Sequence, residues 1–204
     1  TNDATAEVTG ATTLTDGVLA ISDGNLGAVI NQGTSGGATE VTLTAGDIAS
    51  LTNTSGDAAL NGGTVTGATT VAAGTVTNAG AAIATATTSG GTYTQSGGSA
   101  TDLVNDSGTV NLDAGTATSL TNNATAGTST VTDGQVTGTT TIDGGTVVVN
   151  QTTADADLEL VGDTTLNDGT LTITDGEVGA VINQGTSGGA TEVTLTAGDI
   201  ASLT

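Results

Sequence analysis

Twenty-one carboxylates and no cationic side chain set the chemistry open to this chain. Five aspartates stand at matching places in a recurring pattern. Asp3, Asp23, Asp133, Asp155 and Asp175 each directly precede a short Gly- or Ala-led motif. Asp133, Asp155 and Asp175 fall in three successive motifs, and Asp3 and Asp23 in two. If the motifs stack, these carboxylates stack with them, about 5 Å apart. Stacked carboxylates without a cationic partner suit Ca²⁺, a hard cation that takes oxygen ligands. The competing reading is a set of solvated turn aspartates, three of the five in Asp-Gly pairs and all screened by salt. The Gly-rich calcium nonapeptide GGxGxDx does not occur. Paired carboxylates can also cleave glycosides. Here nothing singles out one carboxyl for a raised pKa, and no aromatic platform exists to hold a sugar. The expectation is a protein that is not an enzyme.

A second chemistry rests on threonine. Thr-x-Thr recurs at Thr42/Thr44, Thr75/Thr77, Thr92/Thr94, Thr130/Thr132, Thr172/Thr174 and Thr194/Thr196. Stacked outward, these would form a flat hydroxyl and methyl array like those of β-solenoid ice-binding proteins. Threonine also simply suits an exposed strand face. The register breaks at Ala59, Asn111 and Val148.

Composition excludes most other functions. Nucleic-acid binding and attachment to anionic membranes need cations, and there are none. No apolar run approaches the roughly 20 residues of a spanning helix. Without His or Cys there is no His-based triad, no thiolate and no ordinary zinc site. Without Lys there is no Schiff base and no P-loop. Sequons at Asn53, Asn105, Asn123 and Asn150 are expected by chance in a chain with 49 threonines.

The elements that would position these residues follow from repetition. Residues 27–52 and 179–204 are the same 26 letters, 152 positions apart, and the similarity runs upstream to give 13–52 repeated at 165–204. Within this macro-repeat the pattern Gly-x-h-x-x-h-x-Asn/Thr, with h usually apolar, starts at Gly24, Gly46, Gly63, Gly80, Gly98, Gly115, Gly134, Gly176 and Gly198. Weaker matches start at Ala4 and Ala156. Successive starts are 17–22 residues apart. Between them lie alternating stretches such as EVTLTAG and GTLTITDG, the period-2 signature of a half-buried strand. Gly-containing turns supply positive φ at little cost. No helical period survives these glycines. Disorder is the alternative for a Gly/Thr-rich chain, but 35% apolar residues in a fixed repeat oppose it.

Units this short cannot bury their own apolar faces, so they must stack. The expected fold is all-β: a single-stranded parallel β-solenoid, or β-helix, of about 11 coils of 17–22 residues. It is one continuous unit over 1–204 with no globular cap, an open-ended section of a longer rod. The third motif residue should point inward: Leu26, Ile48, Val65, Ala82, Ala100, Ala117, Val136, Leu158, Val178 and Ile200. So should the sixth: Val29, Leu51, Ala68, Thr85, Leu103, Leu120, Thr139, Val161, Val181 and Leu203. The step of three between them breaks alternation and implies a corner. Asn31, Asn53, Asn105, Asn122 and Asn183, with Thr70, Thr87 and Thr141 in register, read as a structural corner ladder. Around Gly63 and Gly80 the core residues are small, and Tyr93, the lone aromatic, should fill that space.

The strings GTVTGATTVAAGTVTN and GQVTGTTTIDGGTVVVN resemble the repeats of bacterial secreted β-solenoid surface proteins, namely autotransporter and haemagglutinin-like adhesin passengers and S-layer-like repeats. The likeness is periodic and compositional, so no site residues transfer. It implies an extracellular place, at a cell surface or in a matrix, and a structural or adhesive role. The expected partners are further copies of the same repeat or subunit stacked end to end, with no nucleic acid and no membrane insertion. The expected function is a segment of a surface fibre or adhesin stalk. The alternative is a binding module, for ice through the Thr array or for calcium through the Asp column. No other cofactor is expected.

Overall fold

The computed structural model describes residues 7–34, 39–123, 127–153, 157–185 and 192–204. All secondary structure among them is strand or turn, and every strand pairing is parallel. The chain winds as a β-solenoid of about ten turns, close to the eleven expected.

Each coil contributes to three ladders. In the coil from Gly46, Asp47 and Ile48 pair with Thr64 and Val65 in the first ladder. Leu51, Thr52 and Asn53 pair with Thr69, Thr70 and Val71 in the second. Residues Asp57–Leu60 pair with Thr75–Asn78 in the third. Alternation of inward apolar and outward polar residues makes each ladder half-buried, which is what a wall of a hollow coil requires. The inward residues form one continuous aliphatic core, with Ile48, Leu51, Leu60, Leu103, Leu120, Leu166 and Val181 fully buried. Each such Val or Leu stabilises by about 1.5–3 kcal/mol, so stability accumulates coil by coil.

Glycine is required where the coils turn. Gly46 and Gly198 have φ of +84° and +85°. A Cβ on either would collide with a backbone carbonyl oxygen of the coil below, that of Gly24 or of Gly176.

The corner between the first two ladders is not of constant length. Ile48 and Leu51 are both buried three residues apart, as are Val178 and Val181. In three other coils the step is four: Val65 to Thr69, Val136 to Thr140, and Leu160 to Thr164. Six of the expected inward positions differ: the longer corner displaces Ala68, Thr139 and Val161, and in the coils expected to start at Gly80 and Ala156 the inward set begins one and two residues later, at Ile83 and Leu160. Ala68, Ala82, Thr139 and Val161 are exposed, and Thr85 and Leu158 are half-buried. Their places inside are taken by Thr69, Ile83, Thr140, Thr164, Ala86 and Leu160. The ladder places Ile83 beside Val65, and Leu160 between Val136 and Val178. An extra corner residue shifts everything after it, so the corner threonines move too. Val71, Thr88, Ile142 and Leu166, not Thr70, Thr87 or Thr141, stand in the asparagine column.

Asn31, Asn53, Asn105 and Asn122 do lie inside, and all are fully buried. Asn31 Nδ2 donates to Asn53 Oδ1 at 2.7 Å, and Asn53 Nδ2 donates to the carbonyls of Gly56 and Ala73 at 3.0 and 2.8 Å. Ser129 Oγ donates to Asn122 Oδ1 at 3.0 Å. These amides add side-chain hydrogen bonds to carbonyls at the bend. Asn183 is exposed.

The two copies of the macro-repeat have the same register. Asn25↔Asp47 and Val29↔Leu51 recur as Glu177↔Asp199 and Val181↔Leu203. Thr44 N donates to Ile21 O at 2.8 Å, and Thr196 N donates to Ile173 O at 2.8 Å. The correspondence extends upstream of residue 13: Val8↔Leu26 matches Leu160↔Val178, and Thr12↔Val29 matches Thr164↔Val181. Over their described residues, 7–52 and 159–204 thus share one pairing register.

Candidate functional site

The outward residues of the third ladder form a regular surface. Thr75 pairs with Thr92, and Thr109, Thr128, Thr146 and Thr170 follow one another in register. Asn111 Nδ2 donates to Thr94 Oγ1 at 3.4 Å, which sets Thr109 beside Thr92 and joins the two runs. The result is one column of six threonines in six successive coils. Two residues on, a second column holds Thr77, Thr94, Asn111, Thr130, Val148 and Thr172. Spacing is about 4.8 Å along the axis and about 6.6 Å across it. No carboxylate interrupts either column from Thr75 to Thr172, on a chain of net charge −21. All twelve side chains are half-buried by their neighbours in the stack.

This array is not built from the expected Thr-x-Thr pairs as they stand. Thr42 shares a column with Thr77 and Thr94, the second members of their pairs. The pairs at Thr42/Thr44, Thr130/Thr132, Thr172/Thr174 and Thr194/Thr196 are therefore one step out of phase with Thr75/Thr77 and Thr92/Thr94. The uninterrupted column is marked by a different signal. Each member follows a glycine: Gly74, Gly91, Gly108, Gly127, Gly145 and Gly169. The breaks at Ala59, Asn111 and Val148 all fall in the second column.

The aspartates lie at turns. Asp3 and Asp155 lie outside the described residues. Asp23 and Asp175 each accept the amide of the following glycine, Gly24 at 2.8 Å and Gly176 at 2.9 Å. In the ladder, Asn150 stands beside Asp175. Asp133 is engaged elsewhere: Thr152 and Thr153 each donate an amide and a hydroxyl to it, at 2.6–3.0 Å. The Thr152 hydroxyl, followed by these backbone amides, holds the Asp133 carboxyl well below the usual carboxylate range. Among the described residues no three carboxylates are grouped to hold a metal.

Two carboxylates that the repeat pattern did not single out are buried. Glu40 is 1% and Glu159 3% exposed. Glu40 Oε2 accepts the Asp57 amide, and Glu159 Oε2 accepts the Glu177 amide at 2.7 Å. Each ties one coil to the next where the chain turns. No local signal in the sequence distinguishes them from exposed strand carboxylates.

Tyr93 is fully buried in the third ladder beside Val76. Its hydroxyl donates to Gln95 Oε1 at 3.0 Å, and Gln95 Nε2 donates to Thr116 O at 2.8 Å. Burial pushes the phenol pKa far up, so it stays protonated. With 0% of its surface exposed, the ring is part of the core packing and offers no binding platform. No protein-family model matches the chain, no curated protein is recognisably similar to it, and no solved structure matches it.

Proposed function

We propose that this chain is a structural section of an extracellular surface fibre or adhesin stalk, joined end to end with further copies of the same repeat or subunit. One observation carries the reading: the same hydrogen-bond register returns after 152 residues, from Asp47–Gly24 to Asp199–Gly176, at 3.0 Å in both. A rod that repeats itself along one axis is suited to spanning distance, and its stability grows by nearest-neighbour contacts. Twenty-one carboxylates and no cation keep parallel rods apart and soluble. With no Lys or Arg, the chain offers trypsin no cleavage site. Catalysis forms no part of this reading. Antibody labelling of intact cells of the source organism tests it. Labelled filaments with an axial repeat of about 38 Å, eight coils at about 4.8 Å, are expected. Labelling only after lysis removes the extracellular role.

The six-threonine column favours a second reading, an ice-binding face. It presents evenly spaced hydroxyl and methyl groups with no charge to disorder adjacent water. Thermal hysteresis of the purified chain decides it. Hysteresis that disappears in Thr128→Glu supports the face, and none at millimolar protein excludes it.

A further inference from the structure

The edge of the coil that ends at Thr204 has its complement elsewhere in the same chain. Residues 179–204 repeat 27–52 letter for letter. In the structure, the outer edge of 27–52 is covered by the coil that follows it. Asp47 and Ile48 pair with Thr64 and Val65, and Leu51 and Thr52 pair with Thr69 and Thr70. Val41 and Leu43 pair with Ala58 and Leu60. The equivalent residues Val193, Leu195, Asp199, Ile200 and Leu203 pair on one side only, with the coil beneath.

The uncovered side is apolar as well as rich in backbone groups. Leu43 and Leu51 are 0% exposed, whereas Leu195 and Leu203 are 48% and 55% exposed. A strand edge recognises its partner twice: backbone groups give affinity, and the alternate side chains give register. A slip of one residue would turn every inward residue outward.

We infer that this edge is a binding site for one more coil, and that its occupant is a second copy of the segment 53–78. Docked in the observed register, Ala58 and Leu60 of that segment cover Val193 and Leu195. Val65 covers Ile200, and Thr69 covers Leu203. The inference rests on the end-to-end reading for its biological setting, and names the segment that makes the joint.

The test extends the full chain after Thr204 with residues 53–78, so that the Thr52–Asn53 junction recurs. A control carries the same 26 residues in shuffled order. Hydrogen exchange is followed at Asp199–Leu203. Amides there that face away from Glu177–Asn183 should slow by about tenfold or more in the ordered extension only. Leu203→Asp within the ordered extension should return them to the rate of the unextended chain. The free 53–78 peptide, titrated onto the 204-residue chain, should give the same order-dependent protection. Equal protection by ordered and shuffled sequences, or none by either route, overturns the inference. Its failure is distinct from that of the fibre reading, which is decided on intact cells.

Discussion

Leu51 and Leu203 occupy the same position of one 26-residue block, pair with Val29 and Val181 in the same register, and differ completely in burial. Leu51 is inaccessible to solvent and Leu203 is 55% exposed. Local sequence is identical on both sides, so the difference is made wholly by the next coil. Inside a solenoid, a residue is sealed by sequence about 20 positions away.

Leu51→Ala should therefore cost about 2–5 kcal/mol, the usual range for emptying a sealed leucine site. Leu203→Ala should cost under about 1 kcal/mol, as for a surface substitution. Paired urea melts of the two variants measure this. Equal losses would show that burial by the following coil is not what stabilises these leucines.

Tyr93 is the largest fully buried side chain among the described residues. Tyr93→Ala should lose about 3–5 kcal/mol, as large aromatic truncations do. Tyr93→Phe should lose about 1–3 kcal/mol, because Gln95 Oε1 keeps its buried place and loses its donor. A Phe variant as stable as the parent would mean that Gln95 finds another donor.

Asp133 predicts a pH dependence. Its pKa is lowered in the fold by the Thr152 hydroxyl and the amides of Thr152 and Thr153. The stabilisation is fully present above the unfolded value near 4, and is lost as pH falls from there toward the lower folded value. Asp133→Asn should melt below the parent at pH 6, and the gap should start to narrow as pH falls below about 4 and go on narrowing toward the lower folded value. Comparing the pair cancels the opposing gain from neutralising the other carboxylates. A gap that is constant with pH would mean that these bonds do not stabilise the ionised form.

Calcium provides a separate check on the aspartates. Asp133 already accepts four hydrogen bonds, and Asp23 and Asp175 each accept one from their own turns. EDTA should leave the melting temperature unchanged. A drop of several degrees, restored by Ca²⁺, would establish the metal column.

The absence of every cation, of His and of Cys, the 152-residue identity, and the Gly-punctuated alternation of Val, Ile, Leu and Thr were all visible in the sequence. They were enough for parallel stacking and for inward residues such as Ile48, Leu51, Val178 and Val181, whose corner is three residues long. Tertiary structure decided what depends on register between coils. A corner of four residues in place of three put Thr69 and Thr140 inside where Ala68 and Thr139 were expected, and together with a start two residues later, at Leu160, it put Thr164 inside in place of Val161. It also fixed which threonines share a column, and which glutamates, Glu40 and Glu159, are enclosed. Alternation within one strand cannot specify these, because Thr and Ala suit either face of a strand. Only the pairing of each coil with the next, through backbone groups about 20 residues apart, determines which of two adjacent small residues faces the core.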